Sequence, residues 1–213
     1  MTNNKYIKLN LGCGAHVAEG WVNVDCSPNS LLAKIPFYEV IKKILFQLNL
    51  ISETAKDATW SSTVLFCDLA KSFPHISPNS CDEIYSSHFL EHIQRENAQE
   101  LLKKCNVALK SGGILRIAVP DLYAEAKLYV EKIDKAFKEG YEDCTASEEF
   151  IRHMVSREKR HAHLWMYDFF SLSEMLKKTG FINMEQMRFR QSKIVDINLV
   201  ENREDSLFIE CTK

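Results

Sequence analysis

A short apolar strand runs into two glycines one residue apart, and a second short strand ending in aspartate follows at once. This pattern constrains the chain more than any other feature. The stretch reads Lys8-Leu9-Asn10-Leu11-Gly12-Cys13-Gly14 and then Gly20-Trp21-Val22-Asn23-Val24-Asp25. Glycine lets the backbone turn sharply and lets a ligand approach where a Cβ would stand in the way. An aspartate at the tip of the next strand is the usual partner of a ribose diol. Together the two call for parallel strands with a nucleoside-bearing ligand lying across their carboxyl ends.

The dinucleotide fingerprint G-x-G-x-x-G carries its acidic residue about 20 positions further on. Here Val17 stands where the third glycine belongs, and Asp25 arrives too early for a full helix in between. Both departures count against NAD and FAD. The Leu-Asn-Leu-Gly-Cys-Gly run, paired with Gly-Trp-Val-Asn-Val-Asp, closely resembles the glycine motif of class I S-adenosylmethionine (SAM) methyltransferases, in particular a bacterial branch often associated with glycan modification. The resemblance implies a Rossmann-like α/β fold, a mostly parallel sheet flanked by helices on both faces, with SAM as cofactor.

Strand-like and helical segments alternate along the rest of the chain. Residues 6–11, 21–24, 63–67, 81–86, 114–119 and 206–211 read as strands. Residues 96–109 place Leu101, Leu102, Cys105 and Leu109 at helical spacing, and 122–138 do the same with Tyr129, Ile133 and Phe137. Gly112-Gly113 reads as a helix stop, and Ser171-Leu172-Ser173-Glu174 as a capping box opening a helix that ends near Lys178. Alternation of this kind implies a parallel sheet covered on both faces. The tail, 176–181 followed by strand-like 182–189 and 207–211, resembles the closing pair of class I methyltransferases, in which a C-terminal antiparallel strand inserts into the sheet. With 213 residues and neither repeats nor a low-complexity linker, 1–213 is expected to form one methyltransferase domain. A domain of that length buries roughly 70% of its unfolded surface.

Composition narrows the partners. Hydrophobic residues make up 46% and charged ones 26%, as in ordinary globular proteins, and the formal charge is −2. No basic field exists to hold nucleic acid; the branch resemblance implies a small-molecule or glycan acceptor. The first residues lack the apolar core of a signal peptide, and no run is long and apolar enough to span a bilayer. Seven scattered cysteines contain no C-x-x-C pair, which suits a reducing, cytoplasmic setting.

Ligands of open α/β sheets sit outside the carboxyl ends of the strands. Those ends carry Gly12, Cys13 and Gly14, then Asp25, Asp68, Ser86, Ser87, His88 and Asp121. Asp25 is placed to accept from both ribose hydroxyls, and a side chain at Gly12 is expected to fill the cofactor's space. The resemblance puts Asp68-Leu69 at the adenine amino group and Ser86 or Ser87 beside the methionine portion. Aspartate at position 68 also suits a plain turn cap.

Two histidine groups stand out. His88-Phe89-Leu90-Glu91-His92 reads literally as H-x-x-E-H, the inverted zincin motif. It directly follows a strand of a sheet that already has a nucleoside site, and methyltransferases carry a similar segment there. On that reading His88 points towards the methyl donor, Glu91 and His92 orient neighbouring loops, and no metal is required. The second group spans 160–168 and contains His161, His163, Trp165, Tyr167 and Asp168. The resemblance places His163 near the mouth of the active site, as a base or substrate-binding group; a hydrogen-bonded structural histidine is the other reading.

Residues 27–60 depart from the short family pattern. Within 31–51, Tyr38, Ile41, Leu45 and Leu48 make one helical face beside Lys42 and Lys43. The segment suits a lid or cap over the substrate, a homodimer contact, or a helix lying on a membrane surface. The expected activity is transfer of a methyl group to oxygen of a sugar or small metabolite. A non-catalytic SAM-fold scaffold subunit and a zinc hydrolase are the alternatives.

Overall fold

The computed structural model describes residues 6–51, 53, 59–140, 145–154 and 162–213. Five strands run parallel: β1 (Lys8–Leu11), β2 (Val22–Asp25), β3 (Leu65–Phe66), β4 (Cys81–Ser87) and β5 (Leu109–Val119). Two more, β6 (Ile182–Met187) and β7 (Leu207–Thr212), close the sheet antiparallel, β7 against β5 and β6 against β7. The order across the sheet is β3-β2-β1-β4-β5-β7-β6. Strand order reverses at β1, which lies between β2 and β4, and the carboxyl ends there are where open α/β sheets form their ligand crevice. The closing antiparallel pair matches the expectation from the tail.

Among the described residues six helices accompany the sheet: α1 (Pro28–Leu32), α2 (Tyr38–Gln47), α3 (Arg95–Ala108), α4 (Leu122–Glu139), α5 (Ala146–Met154) and α6 (Phe169–Lys178). Successive strand residues point to opposite faces, and β4 shows it: Ile84 enters the main core while its neighbour Tyr85 enters a second one. The main core joins Leu9, Leu11 and Ile117 of the sheet to Leu101, Leu102 and Cys105 of α3 and Leu172 and Leu176 of α6. The second core is made by Ala18, Trp21, Tyr85, Ile194, Ile197 and Val200, mostly from loops.

The link from β1 to β2 has no room for a helix, and buried amides replace one. Asn23 Oδ1 accepts from the Ala18 N–H and from Asn10 Nδ2, each at 3.0 Å. Its Nδ2 donates to the Ala18 and Trp21 carbonyls at 2.9 and 3.0 Å. A buried amide is tolerated when every polar atom is paired, and here they are.

Several local expectations are corrected. Gly112-Gly113 does not stop a helix: α3 ends because Leu109 turns extended, and both glycines lie within β5, where the register against β4 shifts between Cys81 and Glu83. Gly112 takes φ +75°, as an irregularity in a strand often requires. Helix α6 opens earlier than Ser171, because Asp168 accepts from the Ser171 N–H at 2.8 Å while the Ser171 hydroxyl bonds back to Asp168. Phe137, expected on the packed face of α4, is 84% exposed. In α2, Tyr38 and Lys42 are the buried residues, whereas Ile41 and Ile44 stay open to solvent and Leu48, just beyond its end, is 62% exposed. No described helix is long and apolar enough to cross a membrane.

Candidate active site

The β1–β2 turn builds one side of the crevice. Gly12 and Gly14 both take positive φ, +71° and +56°. The two serve different ends. A Cβ on Gly12 would stand 2.8 Å from Phe89 Cβ and Cγ, so packing inside the protein by itself already calls for glycine there. A Cβ on Gly14 would meet nothing within 4 Å, so this is where the turn faces open space. Cys13 is buried, its N–H bonds the Val24 carbonyl at 3.1 Å, and burial and the Asp25 charge push its thiol up to about 12. A thiol so far from ionising is no nucleophile at neutral pH.

Asp25 ends β2 with each carboxylate oxygen held by one backbone N–H: Oδ2 by Gly14 at 2.8 Å and Oδ1 by Ser27 at 2.6 Å. Ser27 is also the N-cap of α1, so one carboxylate ties the glycine turn to the start of a helix. A carboxylate oxygen has further acceptor capacity beyond one N–H, which suits a vicinal diol. Asp68 follows β3 and does the work of a turn cap, with Oδ1 accepting from Ala70 N–H at 3.2 Å and Oδ2 paired with Lys71 at 2.9 Å. Leu69 is 2% exposed and its side chain belongs to the main core. Ser86 is buried with an Oγ that has no hydrogen-bond partner, and half-buried Ser87 ends β4 beside it. The open turn at Gly14, the oriented Asp25 and the orphaned Ser86 hydroxyl fit a nucleoside-bearing methyl donor such as SAM.

Across the crevice, Glu91 is the hub. The segment His88–Ile93 leaves β4 through a left-handed His88, φ +47°, and a single 3-10 turn, Leu90–His92. Glu91 is fully buried. His88 Nδ1 lies 3.3 Å from its Oε1 and His92 Nε2 3.8 Å. Its backbone carbonyl accepts the Leu164 N–H at 2.7 Å and the Trp165 N–H at 3.3 Å, which docks the second histidine segment on the first. Asp121 and Tyr167 bridge, and the Leu122 N–H bonds the Tyr167 carbonyl at 2.9 Å, tying that segment to the end of β5 as well. The two histidine groups, 75 residues apart from His88 to His163, therefore share one wall, with the His92 and His163 ring centroids 5.1 Å apart.

Burial lowers the His163 pKa, against the opposing pull of the Glu91 charge. Burial first, then Glu91, pushes the Tyr167 phenol up to about 12. Asp121 caps α4 by accepting from the Tyr123 and Ala124 N–H groups. His161 lies outside the described residues. One residue escaped sequence reasoning altogether: Ser206, whose Oγ is 2.8 Å from His88 Nε2. It belongs to the mouth because β7 runs antiparallel, with Leu207 beside Val119, so the strand's beginning lies where β4 and β5 end. The only sequence signal was the closing strand pair, and it carries no register.

A family model described as a methyltransferase domain matches residues 10–186. No curated protein matches the chain. Among solved structures, the fold is similar to that of a SAM-dependent methyltransferase from Archaeoglobus fulgidus (TM-score 0.50, 14% identity, 98% of this chain and 86% of that one). A SAM-dependent methyltransferase from Thermotoga maritima gives 0.50 at 15% identity, covering 98% and 83%. The methyltransferase SibL gives 0.53 at 15%, covering 98% and 50%. A family match over most of the chain, on a sheet of the same architecture, settles the assignment: the chain belongs to the methyltransferase domain family, in the class I fold of the SAM-dependent methyltransferases.

Proposed function

We propose that this enzyme methylates a hydroxyl oxygen of a small molecule or sugar, with His88 as the base. The observation that carries the reading is the row Glu91 Oε1, His88 ring, Ser206 Oγ, at 3.3 and 2.8 Å, at the mouth beside the glycine turn. The buried Glu91 carboxylate lies 3.3 Å from Nδ1 without a hydrogen bond, and its charge favours the proton on that nitrogen, leaving Nε2 as the acceptor that a general base needs. Ser206 stands in for a substrate hydroxyl at Nε2. Bound SAM supplies an electrophilic methyl group on a sulfonium. Asp25 and Gly14 hold the nucleoside end, and His88 Nε2 takes the proton that the acceptor oxygen loses. Positioning of the reactants is the larger contribution, roughly 7–11 kcal/mol of barrier, and the base adds about 10²–10⁴-fold.

A sugar acceptor is supported by Trp165, which is 41% exposed near Glu91 and carries the Arg95 guanidinium 4.9 Å from its ring centroid. Aromatic faces of this kind stack on pyranose rings. The same reading takes 1–213 as one domain working in the cytoplasm, with 27–60 as a lid or cap over the acceptor.

The test is methyl transfer from labelled SAM to a panel of hydroxyl and amine acceptors. Oxygen methylation that falls at least about a hundredfold in His88→Ala, with SAM affinity kept, supports the reading. Transfer to amines alone, or full turnover by that variant, overturns it.

A further inference from the structure

We propose that Glu91, His92 and His163 form a binding site for one divalent cation of the Zn²⁺ type, at the outer edge of the acceptor mouth. One ligand atom from each residue lies within 4.8 Å of the other two. Proximity alone would mean little; the hydrogen bonding around the group gives it direction. Glu91 is fully buried, and neither carboxylate oxygen receives a hydrogen bond. A buried carboxylate in that condition calls for a cation.

The two imidazoles are turned to supply lone pairs. His92 Nδ1 is 3.3 Å from the Ala162 carbonyl, and a carbonyl only accepts, so Nδ1 carries the hydrogen. That leaves a lone pair on Nε2, which faces Glu91 Oε1 at 3.8 Å. His163 contributes a buried Nδ1 that has no hydrogen-bond partner. Fixing one ring nitrogen with a backbone carbonyl so that the other can bind is what surrounding groups do for metal-bound histidines.

The scaffold is in place without an ion, because the Leu164 and Trp165 N–H groups already clamp this segment to the Glu91 carbonyl. Tetrahedral bonds of roughly 2.0–2.2 Å put ligand atoms about 3.4 Å apart, so closure needs shifts of about an ångström or less. Two imidazoles and one carboxylate leave further positions for water or an acceptor oxygen, as in catalytic rather than structural zinc sites. His88 is outside the set: its left-handed backbone sends Nε2 to Ser206. The ligands are thus not those of H-x-x-E-H, and Glu91, the general base of a zinc hydrolase, is here a ligand. The site does not depend on the methyl-transfer reading.

The experiment is a Co²⁺ titration of chelator-stripped, tag-free, full-length protein, followed by competition with Zn²⁺. One equivalent of Co²⁺ should give visible d–d bands stronger than those of the aqueous ion, and Zn²⁺ should abolish them. His163→Ala and His92→Ala should each weaken Co²⁺ binding at least about tenfold, and His88→Ala should retain the bands. Histidine modification of the unaltered protein locates the site without any variant: Zn²⁺ should shield His92 and His163 but not exposed His153. A spectrum no different from aqueous Co²⁺, bands that survive in His92→Ala/His163→Ala, or modification of His92 and His163 unaffected by Zn²⁺ would each overturn the proposal.

Discussion

Asp25 ties the glycine turn to helix α1 and is proposed to hold the cofactor's ribose, and its replacement separates the two roles. Asp25→Ala strands the Gly14 and Ser27 N–H groups, now held at 2.8 and 2.6 Å. A hydrogen bond to a charged group contributes roughly 1.5–3 kcal/mol, but water reaches this half-exposed spot and replaces part of it. The expected loss of stability is therefore on the order of 1–2 kcal/mol, or about 2–8 °C in Tm for a chain of this size. Binding should suffer more. Two ribose hydroxyls donating to the carboxylate are worth about 3–6 kcal/mol together, and each 1.4 kcal/mol is tenfold, so SAM affinity should fall at least about a hundredfold. Asp25→Asn keeps one acceptor oxygen and should fall in between, by about tenfold. Calorimetric titration with SAM and with its demethylated product measures affinity, and melts without ligand measure stability. Folded Asp25→Ala protein that binds SAM within about twofold of the parent, or Asp25→Asn binding as tightly as the parent, would refute the ribose assignment.

The other expectations concern packing and charge. Gly12→Ala drives a Cβ into Phe89 from a left-handed backbone and should cost about 2–4 kcal/mol in melts without any ligand. Gly14→Ala meets open space, so its stability cost should stay near 1 kcal/mol while calorimetry shows SAM affinity reduced. Arg116 is fully buried, bidentate on Glu201 at 2.7 and 2.9 Å and 3.4 Å from Glu210, both also buried. Arg116→Met strands two buried carboxylates and should cost about 3–5 kcal/mol in denaturant unfolding, partly regained by adding Glu201→Gln. Burial raises the Glu83 pKa above its ordinary 4.5, and its Oε2 has no partner. A raised carboxylate pKa means stability is present below the unfolded value and lost as pH rises through the folded one. Glu83→Gln should therefore melt higher than the parent at neutral pH, with the advantage vanishing as pH falls towards 4.5.

What could be read from the sequence was local. Strand-glycine-strand-aspartate specifies a turn and a crevice within 18 residues, because glycine's backbone freedom and the position of an acidic strand end are properties of neighbours in the chain. The alternation of elements and the closing strand pair gave the sheet's architecture for the same reason. Residues whose partners are distant could only be placed by folding. Phe89 explains Gly12 from 77 positions away, Ser206 meets His88 across an antiparallel strand whose register no motif encodes, and Asp168 displaced Ser171 as the opening cap of α6. Two histidine groups that looked independent became one wall because the Glu91 carbonyl accepts the Leu164 and Trp165 N–H groups. Hydrogen-bonded tautomers and a carboxylate buried without a donor are properties of the packed interior. The sequence by itself determined the fold and the cofactor class; the shared histidine wall was decided by tertiary structure, since its chemistry depends on which lone pairs packing leaves facing one another.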